Sequence, residues 1–68
     1  MKNNLKALRK QTQLKQKELA EKVQKPQNYI SDLENGHRDI TGISLKTAIK
    51  IAKILNCRPE DLIKENEQ

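Results

Sequence analysis

The chain has 68 residues, enough for one small domain whose single core gives only marginal stability. Its apolar residues are almost all Leu, Ile and Ala, and Tyr29 is the only aromatic residue, so packed helices are favoured over a β-sandwich or barrel. The net charge of +5 favours a polyanionic partner, although a merely soluble, lysine-rich surface would carry the same charge.

The first predicted helix begins after Asn3 or Asn4, either of which can act as its N-cap, and runs to about Gln11. Leu5 and Leu8 form its inward face. A short polar connector then leads to the second helix, so these two helices are expected to pack against each other.

The second predicted helix begins near Lys15 or Gln16 and lacks a Ser or Thr cap. Its first amide groups are therefore available to an anion, unless water satisfies them. Its apolar stripe consists of Leu19, Ala20 and Val23. The helix is expected to end near Gln24, because Pro26 disfavours helical geometry in the residue before it.

Pro26 also suits the first turn of a third helix, which Gly36 ends as a C-terminal cap. Ile30 and Leu33 lie on the inward face of this helix. Short polar side chains occupy the outward face, namely Gln27, Asn28, Ser31 and Asp32. Such side chains can read base edges in a major groove, because Asn and Gln pair with adenine and Asp accepts from cytosine.

Ser44 caps the fourth predicted helix, whose inward stripe consists of Leu45, Ala48, Ile51, Ala52 and Leu55. Candidates for a dimer patch are the isoleucines that lie off the stripes, Ile49, Ile54 and Ile63, although each could equally anchor a loop or be partly buried. Pro59 and the two acidic residues after it predict a short fifth helix with Leu62 turned inward. Residues 64–68 form a polar tail.

Several segments together resemble the Cro and phage-repressor helix-turn-helix family, also called the xenobiotic-response-element family. The matching segments, in order, are Leu5–Arg9, Gln16–Ala20, Tyr29–Gly36 and Ser44–Leu55. The resemblance covers nearly the whole chain and implies an all-α fold, a compact five-helix bundle similar to the lambda-repressor DNA-binding domain. Residues 1–68 would form one domain, with the helix-turn-helix at about residues 16–35.

The resemblance also implies which residues contact DNA. Gln27, Asn28 and Asp32 correspond to the family's base-reading positions, and Ser31 lies at the edge of the same face. Asp32 repels phosphate, so it could instead exclude wrong sequences or pair with a nearby lysine. Phosphate contacts are expected to flank the reading helix, at Lys15, Gln16, Tyr29, Asn35, His37 and Arg38, although Tyr29 could serve only to fill the core.

The resemblance also bears on three further positions. An arginine of the first helix commonly pairs in this family with the glutamate before Asn-Gly, which here would join Arg9 to Glu34. Gln24 stands where a glycine is frequent in the turn, and a non-glycine residue held there at positive φ would cost about 1 kcal/mol.

The remaining side chains argue against other classes of function. Cys57 is the only cysteine and His37 the only histidine, so the sequence predicts no intrachain disulfide, no metal site, no cofactor and no enzyme. It shows no secretory signal and no apolar run long enough to span a membrane, so a cytoplasmic protein is expected.

The sequence therefore predicts a regulator that binds double-stranded DNA, and the charge excess supports this because residues 1–38 carry nine Lys or Arg against four acids. We expect a repressor that binds a palindromic operator as a homodimer, since one domain of this size buries too little surface for high specific affinity. The alternative is an interaction module, such as an antitoxin, that binds DNA together with a protein partner.

Overall fold

A computed structural model describes residues 3–63, and within this range the chain is helical and contains no strand. Its α-helices are α1 (Leu5–Gln11), α2 (Gln16–Val23), α3 (Gln27–Asn35) and α4 (Leu45–Ile54). Short 3₁₀ helices follow α3 and α4, at Ile40–Gly42 and Pro59–Leu62. The predicted all-α class is confirmed for this part of the chain, and the predicted polar tail at 64–68 lies outside the described residues.

The predicted count of five helices is wrong, because the last element is a 3₁₀ helix of four residues, Pro59–Leu62. Its start uses the predicted acids, since the amide of Arg58 donates to the Asp61 carboxylate at 3.1 Å. At its end, the Leu62 carbonyl accepts a hydrogen bond at 3.0 Å from the amide of Asn4, which precedes α1.

One hydrophobic core joins all of these elements. It consists of Leu5, Leu19, Ala20, Val23, Ile30, Leu33, Ile40, Ile51, Leu55 and Leu62. The apolar stripes predicted for α2 and α3 are entirely buried, whereas Leu8 of α1 is only half-buried at the edge of the core. Because the core holds both helices of the helix-turn-helix, it also determines which face of α3 is exposed.

Leu45 is an exception to the predicted inward stripe of α4, since it is 71% exposed. It is the first residue of α4, directly after the Ser44 cap. Ile43, just before the cap, packs against the core instead, and the inward stripe of α4 begins with half-buried Ala48. The chain therefore enters α4 with Ile43 inside and Leu45 outside.

The turn between α2 and α3 has an unfavourable backbone geometry. Gln24 adopts the left-handed conformation, with φ 61° and ψ 43°. Pro26 is the N-cap of α3 and extended, with ψ 154°, so the prediction that it lies in the first turn of the helix is wrong by one position. Its carbonyl accepts from the Tyr29 amide at 3.0 Å, and Gly36 ends α3 at φ 80°.

Arg9 and Glu34 form an almost buried ion pair between α1 and α3, with side chains that are 10% and 1% exposed. Arg9 Nε donates to Glu34 Oε2 at 2.5 Å, and Nη2 donates to Oε1 at 3.2 Å. Arg9 Nη1 also donates to the Leu14 carbonyl at 2.8 Å, and Gln16 Nε2 donates to Glu34 Oε1 at 3.0 Å. This network joins α1, the connector after it, α2 and α3.

Arg9→Met should lower the free energy of unfolding by about 3 to 5 kcal/mol, because it leaves the Glu34 carboxylate buried without its cation. Denaturant unfolding followed by circular dichroism measures the change. The double variant Arg9→Met/Glu34→Met should regain part of the loss, since it retains no unpaired buried charge. A loss below about 1 kcal/mol in the single variant, as for an exposed pair, would contradict the structural role.

Gln24→Gly should raise the free energy of unfolding by about 1 kcal/mol, because glycine has no Cβ to oppose the left-handed conformation. Gln24→Ala is the matched control. It keeps a Cβ and removes only the exposed hydrogen bond that Lys50 Nζ donates to Gln24 Oε1 at 3.0 Å. The free energy of unfolding of both variants is measured with denaturant in the same way. Equal values for the Gly and Ala variants would show that the left-handed backbone at Gln24 does not lower the stability.

Candidate nucleic-acid interface

The outward face of α3 presents the side chains that the sequence predicts to read bases. Gln27 and Asn28 are exposed at the first two positions of the helix, and Ser31 and Asp32 are half-buried one turn later. Within residues 3–63, neither Gln27 nor Asn28 makes a side-chain hydrogen bond. Their amide groups therefore keep the donor and the acceptor that bidentate pairing with a base requires.

The second turn of α3 and the loop after it are less free. Asn35 Nδ2 donates to Ser31 Oγ at 3.3 Å, so these two side chains support each other. His37 Nδ1 lies 3.9 Å from Asp32 Oδ1, and the two form an ion pair only when the imidazole is protonated. Asp32 thus has a histidine as its neighbour, where the sequence suggested a lysine.

Two of the residues predicted to contact phosphate, Lys15 and Gln16, lie at the N-terminus of α2, and the Gln16 side chain is already hydrogen-bonded within the protein. Lys15 is the exposed N-cap, and its amide donates to Glu18 Oε1 at 2.8 Å. Gln16 Nε2 is engaged with Glu34, as described above. A phosphate at this end would meet the Lys15 side chain, but it would also meet the Glu18 carboxylate.

Tyr29 lies between the outward face of α3 and the core, with two cations near its ring. Lys25 Nζ is 5.2 Å and Arg38 Cζ is 4.8 Å from the ring centroid, which is within the range of cation–π attraction. Burial raises the pKa of the Tyr29 hydroxyl, and the nearby Arg38 opposes that rise. The hydroxyl therefore stays protonated near neutral pH and can donate a hydrogen bond. The sequence analysis missed Lys25, because it lies in the turn before α3, where helical spacing does not apply.

The three residues predicted to form a dimer patch differ in how exposed they are. Ile49 and Ile63 are 37% and 41% exposed, whereas Ile54 is half-buried and packs against the core. Leu45 precedes Ile49 by one helical turn, and it lines a shallow groove together with Ile63. We call Leu45, Ile49 and Ile63 the apolar patch.

Other chemistry is sparse in the described part of the chain. Residues 3–63 contain no group of three or more His, Cys, Asp or Glu side chains that could hold a metal ion. Cys57 is half-buried, and burial raises the pKa of its thiol, which makes the thiolate less available. Within the same range, no helix has both the length and the apolar character that crossing a bilayer requires.

Comparison with known proteins agrees with this geometry. The chain matches the protein family described as Helix-turn-helix over residues 5–62, a range that includes all four α-helices and both 3₁₀ helices. A search of curated proteins finds no match. The matched range covers well over half of the sequence and includes both α2 and α3. The chain therefore belongs to the helix-turn-helix family of the Cro and phage-repressor type, whose members are DNA-binding regulators.

Proposed function

We propose that this protein is a sequence-specific transcriptional repressor that binds a palindromic operator in double-stranded DNA as a homodimer in the cytoplasm. The observation that carries the proposal is the pair of uncommitted amide side chains, Gln27 and Asn28, at the start of a helix that is rigidly held. The Arg9–Glu34 ion pair and the core hold α3. Rigid support matters, because base readout requires side chains placed within a few tenths of an ångström.

Base reading would be shared along α3. Gln27 and Asn28 suit adenine, which accepts and donates on its major-groove edge. Ser31 can bond to any base but is also bonded to Asn35, so its contribution is smaller. Asp32 accepts from cytosine, and its neighbour His37 offsets its repulsion of phosphate when the imidazole is protonated.

Backbone contacts would come from both sides of α3. Lys15 and Gln16 lie at the N-terminus of α2, although Gln16 would have to share its amide between Glu34 and a phosphate. The remaining contacts are Tyr29 and the residues at and after the end of α3, namely Asn35, His37 and Arg38. Such contacts set the position and orientation of the reading helix without selecting a sequence.

Dimerisation would use the apolar patch. A single domain of this kind buries about 600–1,000 Å² on DNA, and two copies on neighbouring half-sites supply the rest of the affinity. Leu45 is the most exposed large apolar side chain in residues 3–63, and covering it would remove apolar area from water. The same patch supports the second candidate function, an antitoxin-type module, if a different protein covers it.

Gln27→Ala and Asn28→Ala should each weaken operator binding by about 1 to 3 kcal/mol while leaving affinity for random DNA nearly unchanged. Selection from a random duplex library first supplies the operator, which should be an inverted repeat with half-site centres about 10 base pairs apart. Gln11→Ala, at the exposed end of α1, is the matched control. Equal losses on operator and random DNA would overturn sequence reading by α3.

Leu45→Glu should shift the protein towards monomer and reduce operator affinity. The fold should persist, because the side chain is 71% exposed and an acid near the start of a helix is favourable. Sedimentation equilibrium measures the monomer–dimer constant, with Gln11→Glu as a control for added charge. A wild-type protein that stays monomeric on and off the operator would rule out the homodimer and favour a protein partner.

A further inference from the structure

A surface cleft lies beside the N-terminal ends of α3 and α4. Its polar lining consists of Lys25, Tyr29, Arg38, Asp39, Ser44 and Thr47. Lys25 reaches it from the α2–α3 turn, where its amide donates to the Ala20 carbonyl at 3.0 Å. Arg38 reaches it from beyond the other end of α3, because its amide donates to the Asp32 carbonyl at 3.1 Å and folds the chain back. Two cations that are distant in sequence thus converge on one ring.

These two cations form no ion pair within residues 3–63. Neither Lys25 nor Arg38 has a carboxylate oxygen within 4.0 Å of its charged nitrogens, and each instead lies near the Tyr29 ring. Like charges brought towards one side chain repel each other, and the ring quadrupole offsets only part of that repulsion. The arrangement is therefore suited to an anion that would bring the compensating charge.

The neutral groups of the cleft add hydrogen-bond donors. Ser44 Oγ and Thr47 Oγ1 are joined by a hydrogen bond of 2.9 Å, which uses one of their two hydroxyl protons. The other hydroxyl proton is available to donate to an anion. The Tyr29 hydroxyl, protonated near neutral pH, is a second donor. Asp39 is the opposing charge, but its Oδ1 accepts from the amide and the hydroxyl of Thr41 at 2.9 and 2.6 Å, which lowers its pKa. The Asp39 carboxylate therefore offsets one of the two positive charges that Lys25 and Arg38 bring to the cleft.

A second cleft continues the positive surface along α4. It is lined by Val23, Gln24, Lys25, Lys46, Thr47 and Lys50, so it shares Lys25 and Thr47 with the first, and none of its lining residues is an acid. Lys50 lies at its edge, bonded to the Gln24 amide oxygen. We call the continuous set of Arg38, Lys25, Lys46 and Lys50 the α4 strip.

We propose that the α4 strip binds the phosphodiester backbone of the operator beside the N-terminal end of α3, with Tyr29 as the residue that positions Lys25 and Arg38. The proposal rests on the proposed function, since Lys25 precedes the base readers Gln27 and Asn28 by two and three residues. A helix whose first residues enter a major groove brings the chain just before it close to the flanking phosphates. The strip would form one wall of the contact, and Lys15 would lie on the other.

The test is the dependence of the affinity for duplex DNA on salt concentration. Each phosphate contact contributes about 0.9 to the slope of log Kobs against log salt, so Lys25→Gln, Arg38→Gln and Lys46→Gln should each reduce the slope by about that amount. Between 50 and 200 mM salt, each variant should lose about threefold less affinity than the wild type does. Lys53→Gln is the matched control, because Lys53 is exposed on the same helix but lines a different cleft. It should leave the slope unchanged.

Tyr29 variants separate positioning from direct contact. Tyr29→Leu keeps both cations, so it should leave the salt slope unchanged but lower affinity at fixed salt by about threefold, through loss of the cation–π contacts. Tyr29→Phe keeps the ring, so it should retain the positioning effect and lose only the smaller contribution of the hydroxyl donor. Thermal unfolding of each variant confirms that the fold persists. A Tyr29→Phe loss as large as that of Tyr29→Leu would replace positioning by a hydroxyl contact and overturn that part of the proposal.

The outcomes distinguish this inference from the function on which it rests. If the wild type selects an inverted repeat but Lys25→Gln, Arg38→Gln and Lys46→Gln keep the wild-type slope, the α4 strip is wrong and the repressor proposal stands. If the wild type binds no DNA, both fail. If the slopes are unchanged while millimolar inorganic phosphate shifts the Tyr29 ring resonances in DNA-free protein, the cleft is a site for a free anion and the DNA contact is overturned.

Discussion

The buried Arg9–Glu34 ion pair is the interaction on which the orientation of the outward face of α3 depends. The guanidinium is bonded to the glutamate of α3 and to the carbonyl of Leu14, and the same glutamate accepts from Gln16 of α2. Apolar attraction is non-directional, whereas hydrogen bonds to a charged group require a defined geometry. This network therefore adds an orientational constraint on α3 to the one that core packing supplies.

Helical periodicity was sufficient to predict much of the fold. Leu19, Val23, Ile30 and Leu33 are buried as their spacing requires, because a helix in the middle of a bundle has one inward face and its pattern reports it. Leu45 shows where this reasoning stops. At the first residue of a helix, the preceding loop competes for the core, and helical spacing alone does not show that Ile43 excludes Leu45 from the inner place.

The candidate site likewise combines features that the sequence could predict with features that it could not. The exposure of Gln27 and Asn28 follows from the period of α3, so sequence alone could place them on the outward face. The meeting of Lys25 with Arg38 could not be predicted, since it depends on a backbone bond from Arg38 to Asp32 that returns the chain along α3. The hydrogen bond between the Asn4 amide and the Leu62 carbonyl likewise joins segments that are far apart in the sequence. Contacts between distant segments leave no periodic signal.

Two glutamines whose backbones adopt the left-handed conformation lower the stability of this protein and so affect how long a molecule of it survives. Gln13 and Gln24 both hold positive φ, in a domain whose length already allows only a thin stability margin. A thin margin keeps a steady fraction of molecules unfolded and open to cellular proteases. Any partner that binds only the folded chain reduces that fraction by mass action. If the protein binds DNA as proposed, molecules bound to DNA would therefore outlast free ones.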